Sequence, residues 1–377
     1  MKKSIEDFYL KNKKVLLRCD LNVPIKNGII TDDTRIKASL KTINYILDNG
    51  GSCIILSHLG KVKEQSDLLK NDLYPVSVRL SELLKKEVKF SKNTSGPEVS
   101  QMALNLKPGE IMMLQNTRYE DLDGKKESSC DLELANFWAS LGDIFINDAY
   151  GTCHRAHASN VGICKFLPSG LGFLPIEEIT KLDSIIKEDT HPFVVIMGGA
   201  KVSDKIKMIE NLINKCDKIL IGGAMAYTFL KASGYNIGKS LLDSDSLDFC
   251  KNMLEKYQDK IILPLDSIVS SSIDDVNNQI KDIEKFDEFD MGLDIGPKTI
   301  DLFEKEEYSH GTKSIYDYIV KNNIKTLVGG GDSASSVNKL SDKTKFYHIS
   351  TGGGATLEYL EGKTLPGISA IDEKEEI

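Results

Sequence analysis

"FVVIMGGAKVSDKIKMI" occupies residues 193–209. Its apolar run reads as a buried strand, the Gly198–Gly199 pair as a turn, and the stretch beyond as the opening of a helix. That order is the repeating unit of a parallel α/β sheet. Lys201 and Lys205, four residues apart, are expected on one face of the helix, where two ammonium groups can meet one anion. Two solvated lysines in a lysine-rich chain are the competing reading. No GxxxxGK[ST] occurs, so this is not a Walker A loop.

The same rhythm runs through the 377 residues, a length that suggests two domains at about 150 residues each. Strands are expected at 14–20, 52–60, 110–118 and 143–151, with helices at 34–50, 75–86 and 133–142. A Pro/Gly-rich turn and a helix over 167–189 read as a connector. Alternation resumes in "KILIGGAMA", "KIILPLDSIV", "IKTLVGGGDS" and "KFYHISTGGG". The expected class is α/β with two parallel-sheet domains.

Composition narrows the ligands. A net charge of −8 excludes a general nucleic-acid binder. The apolar runs are too short to cross a membrane. The N-terminal "MKKSIEDFYLKNKK" lacks a secretion-signal core, so a cytoplasmic protein is expected. Seven dispersed cysteines without a CxxC pair argue against a disulfide framework or a zinc site. His154 and His157 lack a third ligand. Of 48 basic residues only five are arginine, namely Arg18, Arg35, Arg79, Arg118 and Arg155. All fall in the first 155 residues. Arginine's planar fork grips phosphate or carboxylate bidentately, so a small anion is expected in the N-terminal half.

Ligands of open α/β sheets bind beyond the carboxyl ends of the strands. The N-terminal strands end in polar side chains: Asp20 and Asn22, His58 and Lys61, Asn116 and Arg118, Asp148, His154 and Arg155. The later strands end in glycines, at 198–199, 222–223, 329–331 and 352–354. Glycine lets a backbone approach a ligand closely, and free amides at a helix start favour phosphate. One half suits a small charged substrate and the other a nucleotide polyphosphate.

Ten ordered stretches, from "LRCDLNVP", "ITDDTRI", "SHLGK", "NTRYED" and "NDAYGTCHRAHAS" through "GGAKVSDKI", "GGAMAYTFLKA", "LDIGPKT" and "VGGGDSA" to "STGGGATLEYLEGKTLPG", together resemble the phosphoglycerate kinase family. The resemblance implies two Rossmann-like doubly wound parallel-sheet domains joined by a helix. A phosphoglycerate-binding domain would span 1–170, the connecting helix 171–188, a nucleotide-binding domain 189–358, and a segment returning to the first domain 359–377. It implies reversible phosphoryl transfer between 1,3-bisphosphoglycerate and ADP, giving 3-phosphoglycerate and MgATP, by a monomer with no nucleic-acid or membrane partner.

Carried over by position, the resemblance implies substrate contacts from Asp20, Leu21, Asn22, Arg35, His58, Leu59, Gly60, Lys61, Arg118 and Arg155. Lys61 stands where many members have arginine and keeps the charge without the fork. Arg35, Lys201 and Lys205 match catalytic positions. Gly199, Gly223, Gly292, Pro297, Glu304, Gly330, Gly331, Asp332 and Ser333 match the nucleotide positions, alongside the two lysines. Asp332 matches the Mg2+ carboxylate, and Gly353 and Gly354 the amides facing the transferred group.

One departure stands out. After "LDIGPKTI" the family continues with a helix, an apolar strand and a loop near WNGPxGVFE. Here "DLFEKEEYSHGTKSIYDYI" follows at once, a deficit of roughly 20 residues or one strand and its loop. A relative that binds phosphoglycerate but is impaired in catalysis is therefore the alternative. A nicotinamide-dependent dehydrogenase lacks its fingerprint, because no GxGxxG opens a helix after the first strand.

Overall fold

The protein is described from a computed structural model, covering residues 1–186, 191, 193–272, 277–299, 317, 319–329, 337 and 341–375. The chain divides into two compact units. Unit 1 comprises Met1–Thr180, Thr351–Tyr359 and Thr364–Ile377, and unit 2 comprises Lys181–Ser350 and Leu360–Lys363. The boundaries drawn from the sequence at 170, 188 and 358 differ from these, chiefly because Thr351–Tyr359 groups with unit 1.

Unit 1 runs β1 (Lys14–Cys19), α1 (Thr34–Asp48), β2 (Ser52–Leu56), α2 (Tyr74–Leu84), β3 (Val88–Phe90), α3 (Pro97–Leu104), β4 (Ile111–Met113), α4 (Leu132–Ala139), β5 (Ile144–Asp148) and β6 (Ser169–Leu171). The strands form one parallel sheet in the order β3-β4-β2-β1-β5-β6. Alternate side chains of β1 serve opposite faces, as the two-residue period of a strand requires. Val15 and Leu17 join Ile43, Ile46, Val76 and Leu80 beneath α1 and α2. Leu16 joins Val99, Leu134 and Trp138 beneath α3 and α4. Both faces are covered, so β1 reads as a continuous apolar run rather than an alternating one. The short strands β3 and β6 were not expected. β6 lies inside the stretch read only as a Pro/Gly-rich turn.

Helix α1 carries its apolar residues at Ile36, Leu40, Ile43 and Leu47 and stops before Gly50, which adopts φ +76°. The connecting helix α5 (Phe173–Ile186) starts directly beyond β6. The Phe173 amide donates to Thr42 Oγ1 (3.2 Å) and the Leu174 amide to Asp148 Oδ1 (3.0 Å). These bonds satisfy two of the amides left open at a helix start. Gly172 is required here, because a Cβ would lie 2.1 Å from Asp148 Oδ1. The chain end belongs to the same unit: Ser169 donates to Asp372 Oδ2 (2.9 Å) and Asn147 Nδ2 to the Gly367 carbonyl (3.0 Å).

Unit 2 begins with β7 (Val194–Met197), α6 (Ile206–Leu212), β8 (Lys218–Ile221), α7 (Met225–Ala232) and β9 (Ile261–Ile262), whose strands form a parallel sheet in the order β9-β8-β7. The stretch "KIILPLDSIV" splits. Pro264 follows β9, and β10 (Asp266–Ser270) enters a separate antiparallel sheet between β11 (Gln279–Asp282) and β12 (Met291–Ile295). The last two strands, β13 (Leu327–Val328) and β14 (His348–Ile349), pair in parallel only with each other among the described residues. β7 is likewise paired on one side only, and its Val194 and Ile196 are 46% and 49% exposed. No helix among the described residues is long and apolar enough to cross a membrane.

Asp148 is fully buried, its Oδ2 has no hydrogen-bond partner, and burial pushes its carboxyl up to about 7. A carboxyl raised in the folded state stabilises fully below its unfolded value near 3.8 and loses that stabilisation as pH rises through 7. The whole effect is on the order of 4 kcal/mol. Thermal melts across this window are expected to show Asp148→Asn gaining on the wild type as pH rises. A constant gap from acid to neutral pH would contradict the assignment.

Candidate functional site

The connections leave β1 and β5 in opposite directions along the unit 1 sheet, so a crevice opens at their carboxyl ends. There Asp20 follows β1 and the loop 149–155 follows β5. Arg35, in the first turn of α1, donates through Nη1 to Asp20 Oδ2 (2.6 Å). The same carboxylate oxygen would stand 2.4 Å from a Cβ at Gly151, which explains the glycine.

Beyond β2, Gly60 adopts φ +59° and a Cβ there would meet Asn71 Oδ1 at 2.1 Å. Its amide donates to Asn22 Oδ1 (2.9 Å), and the Leu21 amide to Ser57 Oγ (3.0 Å). Leu21 and Leu59 are buried supports, whereas Lys61 is exposed. Asn116, fully buried after β4, ties these loops together. Its Oδ1 accepts from the amides of Leu59 (3.2 Å) and Arg118 (3.0 Å), and its Nδ2 donates to the carbonyls of Leu59 (2.7 Å) and Asn71 (2.9 Å).

Positive charge collects here. Arg118 donates to the Gly60 carbonyl (3.0 Å), yet its buried Nε has no partner. Burial and then Arg155 lower its pKa. Burial, followed by Arg18, Arg118 and Arg35, pushes His58 well below the usual imidazole range. Burial, followed by Arg18, Arg118 and Arg155, takes His157 down to about 3. Both rings are therefore neutral at pH 7. Arg155 is exposed and its Nε meets His154 Nε2 at 3.1 Å. Of the five arginines only Arg79 serves elsewhere, bonded to Asp33 and Glu82.

The loop after β14 brings its glycines to this unit. A Cβ on Gly354 would lie 3.1 Å from His154 Nε2, and one on Gly352 would strike the Tyr150 ring. Gly353 adopts φ +52° with open space around it. These residues were expected within the nucleotide-binding domain at 189–358 and instead group with unit 1.

In unit 2 the Gly-Gly turns after β7 and β8 pack on each other. A Cβ on Gly223, at φ +61°, would lie 3.0 Å from the Gly199 amide nitrogen, and the Met225 amide donates to the Gly199 carbonyl (2.9 Å). The two lysines do not share a helix face. α6 begins at Ile206, Lys205 is its N-terminal flanking residue in the turn 203–205, and Lys201 lies ahead of that turn. The turn persists because Asp243 Oδ2 accepts from the Ser203 amide (2.9 Å) and the Lys205 amide donates to the Val202 carbonyl (2.8 Å). Lys205 still folds back, its Cε 3.7 Å from a Cβ position on Gly199.

Gly292 lies on β12, where a Cβ would collide with the Tyr227 ring of α7. Pro297 is exposed at the start of a helical turn, 297–299, where Asp266 accepts from the amides of Lys298 (3.0 Å) and Thr299 (2.8 Å). Glu304, Gly330, Gly331, Asp332 and Ser333 lie outside the described residues.

Sequence reasoning counted Arg18 among the arginines without giving it a role, passed over Glu127 and Ser159, all three buried beneath the cluster, and named Asn116 only as a strand end. A signal existed for Arg18: an arginine inside the apolar run "KVLLRC" needs a buried partner.

The sequence model described as phosphoglycerate kinase matches residues 5–306 and 302–363. The chain belongs to the phosphoglycerate kinase family. The phosphoglycerate kinases of Listeria innocua and Enterococcus faecalis are each 50% identical to it, over 394 and 396 aligned positions, covering 99% of this chain and all of theirs. Among solved structures, the phosphoglycerate kinase of Coxiella burnetii superposes with a TM-score of 0.86 at 34% identity, and that of Pyrococcus horikoshii with 0.83 at 29%, each covering 98% of both chains. Its function is that of a phosphoglycerate kinase, a phosphotransferase acting on a carboxyl group. The alignments are longer than the 377 residues, so the relatives hold segments without a counterpart here. The family match breaks at 302–306, where the deficit was read.

Asn116→Ala would remove the side-chain partner of four backbone groups, two of them, at Leu59, buried. Urea unfolding is expected to show a loss of about 2–4 kcal/mol, and a loss below about 1 kcal/mol would deny Asn116 its clasp role.

Proposed function

We propose that unit 1 binds 3-phosphoglycerate or 1,3-bisphosphoglycerate through Arg35, His58, Arg118 and Arg155, and that unit 2 binds ADP or ATP through the glycine turns and Lys201 and Lys205. The observation that carries this reading is the cationic cluster at the β1–β5 crevice, with the buried Nε of Arg118 lacking an acceptor. A buried guanidinium nitrogen without an acceptor asks for an anion, and a phosphate or carboxylate fits the fork. Asp20 braces Arg35 through one nitrogen, which leaves the rest of the fork for the transferred phosphoryl group.

Phosphoryl transfer needs positioning and charge neutralisation more than covalent chemistry. Arg35 and the amides of Gly353 and Gly354 supply donors on the unit 1 side. Lys205, folded over Gly199, supplies charge on the nucleotide side. Mg2+ is bound through one or two carboxylates plus substrate phosphates, and a single aspartate at 332 is a donor of that kind. The ion would offset phosphate charge. A cytoplasmic monomer completes this reading.

ATP-dependent phosphorylation of 3-phosphoglycerate, coupled to reduction of the product, is the direct test. Turnover supports an intact kinase. A folded chain that binds 3-phosphoglycerate without turning it over would revive the impaired alternative. Arg35→Lys keeps the charge but loses the fork, and kcat is expected to fall on the order of 100-fold. Wild-type turnover in that variant would refute the role of Arg35.

A further inference from the structure

Arg18 sits at the penultimate position of β1, fully buried beneath the cationic cluster. Each nitrogen of its guanidinium meets an acceptor. Nε donates to Ser159 Oγ (2.7 Å), Nη1 donates to the Cys19 carbonyl, and Nη2 faces His58 Nδ1 (3.3 Å) and Glu127 Oε1 (4.0 Å). Ser159 in turn donates its hydroxyl proton to Glu127 Oε1 and its amide to Oε2 (3.0 Å). The bonds run one way, from Arg18 through Ser159 to Glu127. Glu127 is also fully buried and so has no solvent alternative.

A guanidinium has donors and no lone pair. The imidazole nitrogen facing Nη2 must therefore supply the lone pair, which places the ring proton on Nε2. Asp20 Oδ1 could favour the opposite tautomer by accepting from Nδ1, but it stands farther away at 4.0 Å. Its carboxylate is already engaged by Arg35 and the Asn22 amide. The remaining charged or titratable neighbours of the ring are Arg118, Arg35 and His157, and the cations among them oppose its protonation. Among the described residues no hydrogen bond takes Nε2.

We propose that Arg18, clamped by Glu127 through Ser159, is a positioning residue that locks His58 as the neutral Nε2–H tautomer, so that His58 donates a hydrogen bond to an oxyanion of the bound phosphoglycerate. The donation rests on the assignment of His58 to the substrate site made above. The lock itself stands on the geometry beneath that site. A neutral donor holds the ligand equally across the range in which a free histidine would titrate.

Nitrogen-15 labelling of histidine in the full chain reads the tautomer directly. Without ligand, His58 is expected to show a pyridine-type Nδ1 and a pyrrole-type Nε2, unchanged from about pH 6 to 8. A protonated Nδ1 at neutral pH overturns the lock. Ser159→Ala breaks the relay to Glu127 without changing any charge, and Arg18→Lys keeps the charge while losing the fork. Both are expected to mix the tautomers and raise KM for 3-phosphoglycerate about 10-fold with a smaller change in kcat. An unmixed tautomer in a folded variant counts against the lock. If Arg18→Lys does not fold, the wild-type spectrum and Ser159→Ala still decide. Added 3-phosphoglycerate should shift Nε2. A locked ring that ignores it would overturn the donation and the site assignment of His58 while leaving the lock in place.

Discussion

Parallel pairing of β1 with β2 on one side and β5 on the other is the constraint from which the cationic crevice of unit 1 follows. In a parallel sheet every strand ends at the same edge. The register sets Arg18 beside Leu56 and Asn147, and Cys19 beside Asp148. The residues just beyond, Asp20, His58 and the loop 149–155, therefore emerge together although they are far apart in sequence. Covering both faces with helices keeps the strands apolar and leaves only this edge for polar chemistry.

A crevice rich in arginine is not stable by default. Like charges repel, and buried cations lose hydration. The protein offsets this with two carboxylates of different kind. Asp20 holds Arg35 at the rim, and Glu127 holds Arg18 below. The histidines join the cluster as neutral rings, since burial and the arginines together disfavour their charged forms. What remains unsatisfied, above all at Arg118, is the part a bound anion would complete.

Unit 2 meets a different constraint. Among the described residues its parallel strands fall in the β9-β8-β7 sheet and the β13–β14 pair, and Val194 and Ile196 on β7 are about half exposed. The glycine turns after β7 and β8 nevertheless keep their mutual packing, because it depends on adjacent strands that are both present.

Much of this was legible in the chain. The alternation of apolar runs with amphipathic stretches determined the α/β class, because periodicity follows from backbone geometry alone. Strand-end residues such as Asp20, His58 and Arg118 could be named because ligands gather at carboxyl ends. Spacing failed at Lys201 and Lys205, where Asp243, some 40 residues away, stabilises a turn against the helix. It also could not reveal why Arg18 tolerates burial, since Glu127 and Ser159 arrive from distant segments. Local pattern thus determined which elements form and what chemistry their ends carry. Only the tertiary structure decided which charges meet, which glycines are forced by a neighbour, and which unit the loop at 351–359 joins, because each depends on contacts between residues remote in sequence.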